Sequence, residues 1–157
     1  MSSSNQNLST IKSKLDGSSL RITIVVSEWN EQITESLYRA CYQTLIEAGC
    51  KEENIIRKNV PGSFELPLGA KIAIVNDQPN AVICLGCVIQ GETRHFDFIC
   101  DAVAQGIMRL NLDYSIPVVF GVLTPENMQQ AMDRAGGQYG NKGIEAAVTA
   151  LQMARLK

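Results

Sequence analysis

Three short stretches carry the residues of this chain best suited to chemistry on a small molecule. They are Trp29-Asn30, Pro61-Gly62-Ser63-Phe64-Glu65, and Gln90-Gly91-Glu92-Thr93-Arg94-His95-Phe96. The first holds the only tryptophan and the third the only histidine, in a 157-residue chain that is just 6% aromatic. Trp29 and Phe64 offer faces on which a flat ring can stack. Asn30, Ser63 and Glu65 supply donors and acceptors for a polyhydroxylated chain. An imidazole such as that of His95 can move a proton either way. Gly91 to Thr93 would present backbone amides at a helix start, where the dipole favours an anion, provided the Glu92 carboxylate points away. Each residue also has a plain structural use. Trp29 could plug a sheet edge, and Asn30, Ser63 and Thr93 could cap helices. Complementary roles converging on one place are what point to a site.

That convergence depends on the elements between the stretches. Leu20 to Ser27 is a β-branched run that predicts a buried strand. A helix follows over 31–48, capped by Asn30, with Ile33, Leu37, Cys41 and Leu45 spaced four apart. Asn54 to Val60 predicts a second strand, and Phe64 to Val75 a helix that tolerates Pro67 in its first turn. Ala81 to Ile89 is the third strand. A helix from His95 to Leu112 carries the apolar stripe Ile99, Ala102, Val103, Gly106, Ile107 and Leu110. Pro117 to Leu123 is the fourth strand, with Thr124-Pro125-Glu126 set to open another helix that stops near Gly136-Gly137. The last helix spans 144–155. Alternating strands and helices imply right-handed crossovers and a parallel sheet covered on both faces, a single-domain three-layer α/β/α fold. Ligands in such folds bind beyond the carboxyl ends of the strands, where all three stretches fall. Residues 1–19 form a polar arm and 20–157 the domain.

Composition removes whole classes of function. Fourteen Lys+Arg against sixteen Asp+Glu, scattered along the chain, leave no basic stripe for nucleic acid. No apolar run approaches the roughly 18 residues a membrane span needs. The N terminus lacks the basic-then-apolar layout of a secretory signal, so a cytoplasmic protein is expected. Five cysteines, an odd number, read as reduced thiols. Cys84 and Cys87 have CxxC spacing but sit in a strand, where residues three apart face opposite ways. No GxGxxG or GxxxxGK[ST] supports a dinucleotide or nucleoside triphosphate.

Four ordered segments resemble the lumazine synthase family: Val60-Pro61-Gly62-Ser63-Phe64-Glu65-Leu66-Pro67, Gly86 to Asp97, Pro117 to Thr124, and Arg134-Ala135-Gly136 with Gly140-Asn141-Lys142-Gly143. The resemblance runs from Leu20 to the C terminus. It implies a flavodoxin-like four-stranded winding and a transferase reaction without cofactor or metal, in the penultimate step of riboflavin biosynthesis. The amine of 5-amino-6-ribitylaminouracil would condense with the ketone of 3,4-dihydroxy-2-butanone 4-phosphate. An imine forms, phosphate leaves, and the ring closes with loss of water. Carried over by motif, Trp29 stacks on the pyrimidine with Asn30 beside it. Ser63, Phe64 and Glu65 hold the ribityl chain, and the backbone of Cys87, Val88 and Ile89 meets the ring. Glu92 and Thr93 fall at the phosphate with Arg134 as its cationic partner, Phe120 walls the four-carbon substrate, and His95 transfers protons. By themselves, Phe120 reads as a core residue and Arg134 as a helix-end charge.

The family also implies a site shared between subunits of a pentamer, with the N-terminal arm pairing with a neighbour's sheet. The turn from Gly136 to Gly143 has no insertion, which favours pentamers packed into a sixty-copy icosahedral shell; riboflavin synthase is a candidate partner. Trp29 stands where many members have phenylalanine, and its larger π surface could hold riboflavin. Gln138 and Tyr139 replace residues that are often small or basic. Two rival readings remain at this point. A non-catalytic flavin-binding or shell-forming protein would have no need for His95, Arg134 and Glu65 together. A flavodoxin-like electron carrier would need a phosphate loop after the first strand, and Glu28-Trp29-Asn30 is a poor one.

Overall fold

Buried β-branched runs form the centre of the molecule, and the computed structural model describes residues 14–156. Strands β1 (Ile22–Ser27), β2 (Ile55–Val60), β3 (Ala81–Cys87) and β4 (Val118–Leu123) make one parallel sheet in the order β2-β1-β3-β4. This is the expected doubly wound order, with the chain reversing its winding between β2 and β3. The central pair, β1 and β3, is buried along its whole length. That explains why both read as continuous apolar runs instead of alternating ones.

Helices cover the two faces. On one, α1 (Glu31–Glu47), the short α4 (Met128–Asp133) and α5 (Lys142–Ala154) pack on Ile22, Ile24, Val26, Ile83 and Leu85. On the other, α2 (Leu66–Asp77) and α3 (His95–Tyr114) pack on Val25, Val82, Cys84 and Val122. The strand period sorts the cysteines as expected: Cys84 lies in the second core and Cys87 in the first. All five thiols are free, with Cys100 half-buried and the others buried. Burial pushes the Cys84 and Cys87 thiols up to about 12, so they are poor nucleophiles at neutral pH. No helix among the described residues is long and apolar enough to cross a membrane.

Several local expectations need correcting. Asn30 precedes α1, but its side chain makes no cap hydrogen bond and its backbone is left-handed, at φ 62°. Thr124-Pro125-Glu126 does not open α4. Asn127 caps that helix through Gln130 N–H, while the Pro125 carbonyl receives Gln90 N–H. Ala102, expected in the α3 stripe, is exposed. Past Asp133 the chain forms a two-stranded hairpin, β5 (Ala135–Gly137) and β6 (Gly140–Asn141), before α5 starts on an Asn141 cap. The pairing of the N-terminal arm with a neighbouring sheet concerns residues that lie mostly outside the described range. Within that range, Leu15 packs on the α1 and α5 face, and Gly17 N–H donates to the Ala48 carbonyl.

Candidate active site

The carboxyl ends of β1, β2 and β3 meet in a rim held mainly by backbone bonds. Glu28 N–H donates to the Val60 carbonyl at 2.8 Å, and Trp29 N–H to the Pro61 carbonyl at 2.9 Å, stapling the exits of β1 and β2. The indole of Trp29 lies on the backbone of Gly62. A Cβ there would stand 2.4 Å from Cε3, so only glycine gives the ring this seat. Trp29 is 66% exposed, so most of its aromatic surface is open.

Asn30 is fixed by a long-range contact. Its Nδ2 donates to the Cys87 carbonyl at 2.9 Å, tying the exit of β1 to the exit of β3. Asparagine tolerates the left-handed backbone this requires better than most residues. The Asn30 carbonyl still starts α1, accepting from Ile33 and Thr34. After β2, Ser63–Glu65 makes one 3-10 turn. Here the capping reading fails for Ser63. Glu65 performs that service, its Oε2 accepting Gly62 N–H at 3.0 Å, while the buried Ser63 hydroxyl has no partner. Phe64 is exposed beside it.

The third stretch closes the rim. Val88 N–H is committed to the Leu123 carbonyl and Gln90 N–H to that of Pro125. The Cys87 carbonyl is likewise taken, by the Asn30 amide. Thr93 does serve the start of α3, its hydroxyl accepting His95 N–H at 3.4 Å. Glu92, Thr93 and His95 are exposed, and the Arg94 guanidinium lies 5.6 Å from the centre of the Phe98 ring. The Ser63–Glu65 turn packs against α3, the helix that begins at His95.

Two expected residues stand elsewhere. Phe120 is central on β4, the strand at one edge of the sheet, and is 37% exposed. It lines a groove of about 610 Å³ with Met108, Asn111, Lys142, Glu145 and Met153. Arg134 lines a hollow of about 540 Å³ with Leu123, Thr124, Gln130 and Tyr139. Neither space includes Trp29, Asn30, Ser63 or His95. Arg134 is already occupied, donating to the Tyr139 carbonyl at 2.6 Å and to the Glu145 carboxylate. The other oxygen of Glu145 lies 3.6 Å from Lys142 Nζ. Lys142 and Glu145 were not among the expected site residues. Their signal was present as two charges three residues apart, just after the glycine-bounded turn that follows Arg134. No group of metal-binding side chains occurs among the described residues.

Fold and rim together define a doubly wound α/β protein with exposed aromatic rings, a fastened amide and a carboxylate at its strand ends. The family model for 6,7-dimethyl-8-ribityllumazine synthase matches residues 19–157. A 6,7-dimethyl-8-ribityllumazine synthase of Cytophaga hutchinsonii is 57% identical, over 98% of this chain and 97% of its own. One of Parabacteroides distasonis is 54% identical over the same shares, 98% and 97%. One of Flavobacterium johnsoniae is 52% identical over 100% of this chain and 84% of its own. The chain belongs to the 6,7-dimethyl-8-ribityllumazine synthase family. It is a transferase of riboflavin biosynthesis.

Proposed function

We propose that one active site is built from two half-sites on different copies of this chain: the rim of one subunit and the β4 edge of the next. The observation that carries this reading is the separation just described. Every group suited to the ribitylaminouracil stands on the rim, whereas Phe120 and Arg134 face spaces that exclude it. In this reading Trp29 stacks on the pyrimidine, Asn30 and the carbonyls of Cys87, Val88 and Ile89 border it, and Ser63, Phe64 and Glu65 hold the ribityl chain. The neighbour's Phe120 walls the four-carbon ketone, and its Arg134 meets the phosphate, with Thr93 and the amides before α3 on the opposite side. Glu92, exposed, turns its carboxylate to solvent.

The chemistry then follows from position. Stacked pyrimidine and walled ketone bring the primary amine to the carbonyl carbon, and this pre-orientation supplies much of the acceleration. As the C–N bond forms, the amine nitrogen loses a proton, and His95 accepts it. The oxygen leaves as water and an imine remains. The proton on C3 is then lost and phosphate departs from C4 with the C–O bonding pair, leaving an enol, while the Arg134 fork stabilises the charge the phosphate gathers. The enol tautomerises to a C3 ketone bearing the new methyl group, and attack by the ribityl-bearing nitrogen on that carbonyl closes the ring and releases a second water. No step calls for a cofactor or metal.

An apolar stripe on α2 (Leu68, Ile72, Val75), continued by Phe64 in the turn before it and by Phe98, Met108 and Leu112 on α3, is exposed in the single chain and supports burial between copies. The uninserted turn at Gln138-Tyr139 supports pentamers that pack further into an icosahedral shell. Five free thiols support a reducing, cytoplasmic setting, where riboflavin synthase would consume the product. The test mixes both substrates with the purified protein, follows the fluorescent lumazine, and sediments the same sample. Turnover in an assembly of at least five copies is expected; turnover by a sedimenting monomer would contradict the shared site.

A further inference from the structure

Two hydroxyls beneath the rim have no hydrogen-bond partner although both are buried: Ser27 Oγ, on a residue 1% exposed, and Ser63 Oγ, on a residue 6% exposed. Buried hydroxyls are ordinarily paired, and an orphan needs a reason. Both point at the same spot. A Cβ on Gly86 would lie 2.5 Å from Ser63 Oγ and 3.2 Å from Ser27 Oγ, with Leu66 Cδ1 closing the third side at 2.9 Å. The two oxygens are therefore near neighbours over a glycine that has no side chain to part them.

Strand geometry explains the meeting. Thr23, Val25 and Ser27 alternate onto the face of β1 covered by α2 and α3, where Thr23 Oγ1 donates to Asp77 on α2 at 3.0 Å. Val82, Cys84 and Gly86 do the same on the adjacent β3. Ser27 and Gly86 are the last such positions before the strands end, and the Ser63–Glu65 turn drops onto them. Ser27 belongs to the strand, so its backbone is held by the sheet and only its side chain can turn.

We propose that Ser27 is a positioning residue for ribitylaminouracil binding: its hydroxyl pairs with that of Ser63 above Gly86 and so fixes the turn that holds the ribityl chain. This rests on the ribityl role proposed for Ser63, Phe64 and Glu65. A hydroxyl is both donor and acceptor, so rotation about χ1 lets one serine donate to the other. Once paired, Ser63 keeps an acceptor lone pair for the ligand and the turn holds one register. Gly62, the seat of the Trp29 ring, is the residue just before it. Loss of the Ser27 hydroxyl leaves Ser63 to seek another partner and loosens the turn without touching the β4 edge.

The experiment is a double-mutant cycle of Ser27→Ala, Ser63→Ala and the pair, with steady-state kinetics varied in each substrate and melting followed alongside. Ser27→Ala is expected to raise KM for the ribitylaminouracil about fivefold, the worth of one hydrogen bond. The turnover number and KM for the ketone phosphate should stay within about twofold of wild type. The double variant should match Ser63→Ala, because one residue acts through the other. An unchanged pyrimidine KM in Ser27→Ala overturns the proposal. So do additive effects, or a parallel rise in both KM values with a lower melting temperature. If Ser63→Ala is itself silent, the ribityl assignment falls; if Ser63→Ala acts and Ser27→Ala does not, only the Ser27 role falls. Should Ser27→Ala fail to assemble, Ser27→Cys, of similar volume with a weak donor, takes its place under the same criteria.

Discussion

The rim at the ends of β1 to β3 and the edge along β4 hold their side chains by opposite means. On the rim, backbone does the holding: Trp29 lies on Gly62, Asn30 is fastened to the Cys87 carbonyl, and Glu65 closes back on Gly62 N–H. Its ring-facing surfaces stay open. At the β4 edge, side chains hold one another, with Glu145 joining Arg134 to Lys142. In the proposed reading the fixed rim would receive the pyrimidine and the charge cluster the departing phosphate, so each substrate would meet a different kind of preorganisation.

Three substitutions would break or sharpen that contrast, and a fourth tests what fastens the rim to the fold. His95→Ala should have the largest effect, lowering the turnover number about a hundredfold, the usual worth of a positioned acid–base group. Activity should survive because holding two reactants in register remains. Complete loss in a properly assembled variant would refute that division of labour. Arg134→Ala should come next, cutting kcat/KM for the ketone phosphate about thirtyfold, in the range of a charged hydrogen bond. Binding of the ribitylaminouracil, titrated separately, should be unchanged. Normal KM for the ketone together with normal turnover would remove Arg134 from the phosphate.

Trp29→Phe is a smaller perturbation, reducing the stacking surface while keeping a ring on Gly62. Riboflavin titration should show affinity weakened by several-fold, on the order of 1 kcal/mol of aromatic contact. Equal affinity in the two proteins would mean that the indole confers no flavin binding.

The smallest effect concerns the flank of the rim. The Arg57 guanidinium hydrogen-bonds to Glu35 and lies 4.2 Å over the Tyr38 ring, linking β2 to the helix that follows Asn30. Hydrogen bonding from Arg57 holds the Glu35 carboxyl below its ordinary value of 4.5. A depressed carboxyl stabilises the fold at pH above that ordinary value, and the contribution is lost as pH falls through the folded-state value. Glu35→Gln should therefore cost about 0.5 kcal/mol in urea unfolding at pH 7, with the difference narrowing in acid. A constant difference across that range would assign the loss to packing.

The two regions also differ in how far they could be read from sequence. Strand and helix placement and the divergence of Cys84 from Cys87 follow from periodicities of two and 3.6, which are local, whereas the strand order was implied by the family resemblance. The rim stretches were found because each directly follows a strand, and in a doubly wound sheet that alone puts them at one end. Their fastenings were not found. An asparagine before a helix reads as a cap, and only folding brings the Cys87 carbonyl to Asn30, 57 residues later, to claim its amide. Likewise Thr124-Pro125-Glu126 has the composition of a helix start, but Gln90 from another loop takes the Pro125 carbonyl. The β4 edge was least legible. Phe120 sits in an apolar run and Arg134 at a helix end, so neither departs from ordinary core or cap composition. Their importance came from resemblance, and their isolation from the rim required three dimensions.

The shared site is tested most directly by mixing two impaired proteins. Trp29→Ala/His95→Ala disables the rim and Arg134→Ala the edge; equal amounts are dissociated, reassembled together and assayed for lumazine formation. If each site takes its rim from one copy and its edge from the next, random assembly leaves about a quarter of the interfaces with both halves intact, and activity should recover to that fraction of wild type. Activity no greater than the mean of the two variants measured alone would mean that rim and edge serve the same subunit, contradicting the account.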